Sequence, residues 1–508
     1  MSKNLEKQVA QYLERGPVRQ INWGRKGIEQ LPMAVQQIQG LEEFNLEGNN
    51  LKHLPDEIAI LKELKRLDIS DNLIKELPEA LGTLRLLEWL DLSANQLTHL
   101  PDNLTQLEQL EWLDLKSNQL EQLPQQLEAW QQLKKLNLES NQLTTVPASL
   151  GRLKNLEWLD LSDNQLQALP QEIAALKALT WLNLEENPLG KLPESVCTLV
   201  QLKGLDLTNI EAEHLPEALG ELTALEWLDL SENQLLTLPE SIGQLTELDW
   251  LDVRDNQLTA LPDSISALQK LTRLNLEENN LGGWMPVVAT LTQLKELDLT
   301  LTDLTVLPKE VAQLKAMEWL DLSENGLTTL PAALGDLARL NWLDCKENQL
   351  TVIEEGVFNA TALREWYLSF NALEELPTAI SNLKQLERLD LSHNQFKTLP
   401  DEIGDLPKLT SLNLEYNQLA QIPVTIARLT QLEELDLSDN TLSDAEEAFS
   451  ALTNLRFLDL RNNKFTTVPA CFDACSDTLQ ELYLSDNPME PTVLEEAKKR
   501  FPNAVIEF

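Results

Sequence analysis

Tryptophan recurs at a fixed spacing along this chain of 508 residues. Four of its 12 tryptophans occupy positions that face a predicted core, namely Trp23, Trp130, Trp284 and Trp366. The other eight stand 23 residues, or a multiple of 23, apart: Trp89, Trp112, Trp158, Trp181, Trp227, Trp250, Trp319 and Trp342. Large apolar side chains on a surface usually mark a contact site, and tryptophan is favoured at interface centres. The spacing therefore predicts a binding surface, unless neighbouring indoles simply stack and stiffen the sheet that carries them.

Acidic side chains follow the tryptophans at the same spacing. Two residues after each tryptophan position stands a column of 13 Asp, 6 Asn and 2 Tyr. We expect some of these acids, and one cation that follows them, to share the surface with the indoles: Asp91, Asp114, Asp229, Asp252 and Arg254. Stacked carboxylates repel, so asparagines such as Asn137 break the runs. The column predicts attraction for basic groups, although local hydrogen bonding to the serines that follow would also explain it.

Residues for catalysis or metal binding do not form recognisable sets. None of the four histidines has a second His or Cys at ligand spacing, so we expect no metal. Cys345 stands at a core position, and Cys471 and Cys475 are expected to be reduced, with a capping disulfide as the alternative. No glycine-rich phosphate loop and no Ser–His–Asp arrangement stand out. We therefore predict a protein that is not an enzyme and has no cofactor.

The element that positions these columns is a 23-residue repeat. Its template is L-x-x-L-x-L-x-x-N-x-L-x-x-L-P-x-x-L-x-x-L-x-x, and 21 copies run from Val18 to a last start at Leu479. Leucines at positions 4 and 6 alternate with period 2, which predicts a short strand with positions 3, 5 and 7 pointing away from the core. The Asn at position 9 can bond backbone groups at the bend, and the Pro at position 15 suits a short 3₁₀ or helical segment.

This motif resembles the leucine-rich repeat family, in the 23-residue LPxxL form of intracellular leucine-rich scaffold proteins and bacterial leucine-rich repeat proteins. The resemblance covers about residues 18–489. It implies an α/β fold, a leucine-rich-repeat solenoid curved into a horseshoe or superhelix. A parallel β-sheet would line its concave side, and short helical or 3₁₀ segments its convex side.

Sealing segments are expected at both ends, because an open stack of leucines needs a cover. We predict an N-terminal helical cap over residues 1–17, a repeat array over 18–489, and a C-terminal helix–strand cap over 490–508. Thr492 and Glu495 have the spacing of a capping box at the start of that last helix. Residues 202–304 are the least regular stretch of the array, and we expect drift without function there, with a local change of curvature or a ligand contact as the alternative.

The charge of the chain restricts its partners. Lys and Arg total 40 and Asp and Glu total 82, which gives a net charge of −42. Such a chain repels nucleic acid and anionic membranes and attracts basic partners. No apolar run approaches the roughly 18–20 residues that a membrane span needs, and the start lacks a secretory apolar segment. We therefore expect a cytoplasmic protein, with a monomer favoured although the sequence leaves the oligomeric state open.

Three functions are compatible with these features. The leading hypothesis is a scaffold that recognises a protein or peptide with basic and apolar groups through an acidic, Trp-lined concave surface. The alternatives are a glycan-binding adhesion protein, since indoles stack on sugars, and an inhibitor or regulator of a basic enzyme. A salt titration distinguishes the protein scaffold from the glycan-binding protein, because only the protein complex should weaken strongly as ionic strength rises.

Overall fold

The structure is a computed structural model that describes Glu14, residues 18–445 and residues 448–508. Apart from Glu14, the predicted N-terminal cap of residues 1–17 lies outside the described residues. The described part shows repeated strands and 3₁₀ helices, which confirms the predicted fold class of a leucine-rich-repeat solenoid.

The chain forms two compact units. The first consists of Met1–Gln257 with Pro262–Lys270, and the second of Leu258–Leu261 with Leu271–Phe508. Within each unit, strands pair with strands and 3₁₀ helices pack on 3₁₀ helices, so most repeats contribute one segment to each of two layers. The leucine side chains of successive repeats fill the space between the layers.

Short parallel strands form the first layer, and their pairing keeps equal repeat positions side by side. Trp227 thus pairs with Trp250, and Leu228 with Leu251. In the first unit the strands are Gln20–Asn22, Glu43–Asn45, Arg66–Asp68, Trp89–Asp91, Trp112–Asp114, Lys135–Asn137, Trp158–Asp160, Trp181–Asn183, Gly204–Asp206, Trp227–Asp229 and Trp250–Asp252. In the second they are Arg273–Asn275, Glu296–Asp298, Trp319–Asp321, Trp342–Asp344, Glu365–Tyr367, Arg388–Asp390, Ser411–Asn413, Glu434–Asp436, Phe457–Asp459, Glu481–Tyr483 and Val505–Glu507, with a separate pair Thr329–Leu330 and Val352–Ile353.

The second layer consists of 3₁₀ helices, most of which begin directly after the repeat proline. The carbonyl of Pro78, for example, accepts a hydrogen bond from the Leu81 N–H at 3.0 Å. In the first unit these helices are Met33–Gln37, Asp56–Ile60, Glu79–Thr83, Asp102–Gln106, Ala148–Arg152, Gln171–Ala175, Val196–Thr198, Glu217–Glu221, Glu240–Gln244 and Asp263–Ala267. In the second they are Pro286–Thr290, Lys309–Gln313, Ala332–Asp336, Glu355–Asn359, Thr378–Asn382, Asp401–Asp405, Val424–Arg428 and Ala470–Cys475.

An asparagine ladder links each regular repeat to the repeat before it. The Asn164 Oδ1 accepts the Leu143 N–H of the preceding repeat at 2.9 Å. Its Nδ2 donates to the Leu138 carbonyl of that repeat at 2.9 Å and to the carbonyls of Leu161 and Ser162 in its own repeat. One buried side chain therefore satisfies four backbone groups that the leucine core shields from water.

The residue just before this asparagine has a left-handed backbone in every repeat, from Arg25 at φ 55° to Asp486 at φ 56°. Short polar side chains tolerate this conformation best, whereas bulky ones are disfavoured in it. Phe370 and Tyr416 nevertheless occupy it, at φ 55° and 51°. Aromatic rings are therefore held at this turn position at a conformational cost.

Two internal repeats lack the ladder asparagine and share one pattern of turns. Where Ile210 replaces it, the next residue, Glu211, has a left-handed backbone (φ 60°), and so does Gly190 in the preceding repeat (φ 67°). The Gly190 N–H then donates to the Ile210 carbonyl at 2.8 Å, so a backbone bond replaces the missing side chain. Where Thr302 replaces the asparagine in the second unit, left-handed backbones recur at Asp303 (φ 56°) and Gly282 (φ 64°), and the Thr302 hydroxyl donates to the Leu299 carbonyl of its own repeat at 2.7 Å.

The C-terminal end carries a helix and a strand. The α-helix Pro491–Arg500 buries Ala497, and strand Val505–Glu507 pairs in parallel with Glu481–Tyr483. The predicted capping box was wrong, because the helix begins at Pro491 and its N-cap residue makes no side-chain cap. Proline favours the first helical position, which moves Thr492 inside the helix.

Candidate functional site

Each of the eight tryptophans that recur at repeat position 3 is the first residue of its strand, and we call them the sheet-face tryptophans. In strand Trp227–Asp229 the central leucine is buried, whereas the indole is only half-buried. The same pattern holds at all eight positions. The structure therefore places these indoles on the sheet surface that faces away from the leucine core.

The remaining tryptophans serve mainly as packing residues. Trp23, Trp130 and Trp366 are fully buried, in agreement with their predicted place in the core. Trp284 is half-buried, which corrects its predicted core position. The proline of this repeat lies one residue late, at Pro286, so Met285 occupies the core site instead.

Indoles on most pairs of neighbouring tryptophan strands stack on each other. Trp89 and Trp112 have ring centroids 4.3 Å apart and planes within 3°, and Trp319 and Trp342 lie 4.5 Å apart. The Arg66 guanidinium covers the other face of the Trp89 ring at 4.8 Å. The stacking alternative considered for the sequence is thus present in the structure. The stacked rings still have half-exposed surfaces, so the two explanations are compatible.

Glycine at one position extends a pair of stacked rings into three. Trp181 reaches across Gly204 and stacks on Trp227 at 4.9 Å, and Trp227 stacks on Trp250 at 4.8 Å. A Cβ atom at Gly204 would lie 2.1 Å from the Trp181 Cε3, so no other residue fits beneath that ring. In the sequence, Gly204 stands at a tryptophan position and interrupts the column. In the structure, it instead allows the column to continue, and we call Trp181, Trp227 and Trp250 the triple stack.

The sheet-face indoles also present unused hydrogen-bond donors. None of their eight Nε1–H groups donates to any residue in the described part of the chain. These eight Nε1 atoms are not buried. They differ in this from the Nε1 atoms of Trp23, Trp284 and Trp366, which are buried without a hydrogen-bond partner. Free indole N–H groups beside an apolar ring edge suit a partner that offers carbonyl oxygens.

The aspartate column lies deeper than the indoles. Asp229 is only 9% exposed, and its Oδ1 accepts the Ser231 N–H at 2.9 Å and the Ser231 hydroxyl at 2.6 Å. Asp252 is 3% exposed and accepts the Arg254 N–H at 2.9 Å. These bonds hold the turn after each strand, so both carboxylates have a structural role here, and their predicted contact with a partner stays a prediction. Asp91 and Asp114 are half-buried and remain closer to the surface.

Burial raises the pKa of five column aspartates to about 6, which is above the ordinary value of 3.8, because their carboxylates lose solvation. These residues are Asp91, Asp206, Asp298, Asp344 and Asp436. Hydrogen bonds from the following Ser, Thr or Lys lower the pKa, but they offset only part of the rise that burial causes. The sheet face therefore gains negative charge as the pH rises through this range.

We expect the protein to become less stable as the pH rises from about 4 to about 6. In that window the unfolded chain has lost these protons while the folded chain still binds them, so the free energy of unfolding falls. The midpoint of thermal unfolding should be higher at pH 5 than at pH 7. Because general repulsion acts in the same direction, Asp91→Asn is the control. A pH dependence identical to that of the wild type would contradict the assignment to this residue.

Cations on the sheet face form ion pairs with its acids. Arg254 lies 3.5 Å from Glu232 and 4.0 Å from Asp252. Lys116 binds Glu139 of the next repeat at 2.8 Å instead of the aspartate of its own repeat. These contacts are partly exposed and add little stability, so the cations chiefly lower the local density of negative charge.

The structure contains a second aromatic cluster that was not predicted from the sequence. Phe370, His393 and Tyr416 occupy the left-handed turn position of three successive repeats, with ring centroids 4.0 and 4.7 Å apart. Phe370 and Tyr416 are 51% and 59% exposed. Their shared repeat position, directly before the ladder asparagine, is the signal in the sequence that could have identified the cluster. On the neighbouring strands, Tyr367 contacts Trp342 at 5.7 Å.

Within the described residues, no group of three His, Cys, Asp or Glu side chains is placed to hold a metal ion. All four cysteines are free thiols, and burial raises the pKa of Cys197 and Cys475 to about 11, which keeps them protonated and unreactive. No described helix combines the length and apolar character that a membrane crossing requires.

Comparison with known proteins identifies the family. The model of a leucine-rich repeat region matches residues 146–234, 205–298 and 355–484, which is more than half of the chain. A second leucine-rich repeat model matches 39–97, 78–120, 87–143 and 292–350. The chain belongs to the leucine-rich repeat family. No curated protein matches it.

Several solved structures share the fold. A leucine-rich repeat protein of Leptospira interrogans is 29% identical, with a TM-score of 0.51 over 100% of this chain and 99% of that one. YopM from Yersinia enterocolitica is 26% identical, with a TM-score of 0.68 over 95% and 94%. The plant peptide hormone receptor RGFR1, in complex with RGF2, is 25% identical, with a TM-score of 0.57 over 97% and 91%. Domains of this family are generally non-enzymatic scaffolds that bind proteins or peptides.

Proposed function

We propose that this protein is a non-enzymatic scaffold that recognises a protein or peptide through the sheet-face tryptophans. The observation that carries the proposal is the triple stack, whose three large indoles stay half-exposed on a sheet face with free N–H donors. Rings fixed by stacking provide contact area without a further loss of side-chain entropy on binding. A partner with apolar side chains and accessible carbonyl oxygens fits this surface.

The charge of the chain indicates a second property of the partner, namely basic side chains. With a net charge of −42, the molecule attracts basic groups over distances longer than a contact. Exposed acids also follow the strands of Trp227 and Trp250, namely Glu232, which pairs with Arg254, and Asp255. We therefore infer a partner surface that combines apolar and basic side chains, and a cytoplasmic location for the complex.

Ring stacking favours this proposal over glycan recognition. A sugar binds to an open aromatic face, but both faces of Trp227 are covered by Trp181 and Trp250. Trp89 is likewise covered by Arg66 and Trp112. At these two indoles the ring edges and N–H groups remain for a partner, and these suit a peptide chain better than a sugar ring. The complex of RGFR1 with the peptide hormone RGF2 supports a peptide partner for this fold.

The test compares wild type with Trp227→Ala/Trp250→Ala in affinity capture with mass spectrometry, followed by titration of the captured partner. We expect the double variant to lose at least about tenfold in affinity, because buried tryptophans dominate interface energies. Binding should also weaken as salt increases.

Val306→Ala is the matched control, since it removes an exposed apolar side chain away from the sheet strands. It should leave the affinity of the captured partner unchanged. If that partner binds both the Trp227/Trp250 variant and the equivalent Trp89/Trp112 variant as well as the wild type, the sheet face is not the site.

A further inference from the structure

A large groove lies in the first unit, on the flank formed by the loops that connect strands to 3₁₀ helices. The groove lies at the repeat in which Ile210 replaces the ladder asparagine. The Leu189 N–H donates to the Asn187 carbonyl at 2.8 Å, whereas the equivalent Leu166 N–H donates to an asparagine side chain of the next repeat. The loop that follows Leu189 is thereby redirected, and it forms one wall of the groove.

The floor of the groove is apolar. Leu189, Leu192 and Cys197 form its buried base, and Val200 contributes a side chain that is 44% exposed. Leu215 is half-buried here, whereas the equivalent Leu192 in the preceding repeat is fully covered. The groove therefore uncovers apolar surface that regular repeats bury, which is a feature of binding sites.

The rim of the groove is acidic. Four exposed glutamates line it, against a single lysine, Lys191, and the side chain of His214. The glutamates are Glu194, Glu211, Glu213 and Glu221. None of the four forms an ion pair with a residue in the described ranges. Their charges are thus available to a partner.

The size of the groove favours an extended ligand over a small one. Its volume is about 1510 Å³, whereas sites for small molecules measure roughly 300–1,000 Å³. A peptide segment fills a groove of this size, and an apolar floor with an acidic rim fits apolar side chains flanked by lysine or arginine. We propose that this groove binds a basic amphipathic peptide segment of a partner protein. The site is separate from the sheet face, because no sheet-face tryptophan lines it.

The test uses a fluorescein-labelled synthetic peptide of leucines and lysines arranged with one apolar face, measured by fluorescence anisotropy. The groove variant is Val200→Lys/Glu213→Lys, both exposed positions that should tolerate the change. We expect it to weaken binding by about tenfold or more, because it replaces apolar contact and attraction with repulsion. An equivalent peptide with glutamate in place of lysine should not bind.

The matched control is Leu86→Lys/Glu76→Lys, which makes the same change in charge at exposed positions of a regular repeat. It should alter binding by less than about twofold. Equal weakening by the groove and control variants, or unchanged binding by the groove variant, overturns the proposal. So does failure of the wild type to bind.

The Trp227→Ala/Trp250→Ala variant separates this site from the sheet face. Unchanged peptide binding by that variant supports the groove. A loss as large as that of the groove variant places the peptide on the sheet face and overturns the groove proposal.

Discussion

Replacing Asn164 with alanine should lower the free energy of unfolding by about 1–3 kcal/mol. The substitution leaves the buried Leu143 N–H without its acceptor, whereas the Leu138, Leu161 and Ser162 carbonyls each keep a second donor, from the Asn141 side chain, the Asn187 side chain and the Ser140 N–H. A buried group left unsatisfied costs roughly 1–3 kcal/mol. Denaturation by urea measures the change, and hydrogen exchange at the Leu143 amide localises it.

Asn155→Ala is the control for this prediction. Its side chain is exposed and donates a single hydrogen bond, to the Gln131 carbonyl at 2.7 Å. We expect a loss below about 1 kcal/mol. Similar losses for the two variants would show that the ladder asparagine does not hold the repeats together as its contacts indicate.

Replacing Gly204 with alanine should expel the Trp181 indole from the triple stack. The new methyl group would lie 2.1 Å from the ring, far inside van der Waals contact, so the ring must rotate away from Trp227. We expect a loss of about 2 kcal/mol in stability from the overpacking and the broken ring contact. The exciton signal of stacked indoles in circular dichroism should decrease in parallel.

Trp181→Ala in the Gly204→Ala background supplies the control. If the glycine acts only by making room for this ring, the second substitution adds little further loss of exciton signal. A full exciton signal in the Gly204→Ala variant would contradict the role assigned to the glycine.

The repeat could be derived from the sequence because one pattern recurs throughout the chain. Leucines two residues apart fixed which side of each strand faces the core, and the structure shows Leu228 buried beneath the half-exposed Trp227. The 3₁₀ helices followed from the proline that precedes most of them. The bonds of the ladder asparagine to the backbone were also expected from its place at the bend.

Features that depend on neighbouring repeats could not be derived in this way. The role of Gly204 depends on where a ring from the preceding strand lies, which no local pattern records. The depth at which Asp229 and Asp252 lie, 9% and 3% exposed, depends on side chains of adjacent strands, which the repeat pattern does not record. The groove depends on the loop that follows Leu189, whose path changes because Ile210 in the next repeat lacks an amide side chain.

The asparagine ladder has a consequence for how the chain comes apart. Stacked repeats unfold together only to the extent that each is coupled to its neighbour. At Ile210 and Thr302 the side-chain link to the preceding repeat is missing, and backbone turns replace it. Cooperativity is therefore weakest at these two joints, and an unfolding front that enters from either terminus pauses there. The array then behaves as a few segments in series, each with its own protection against proteases and solvent.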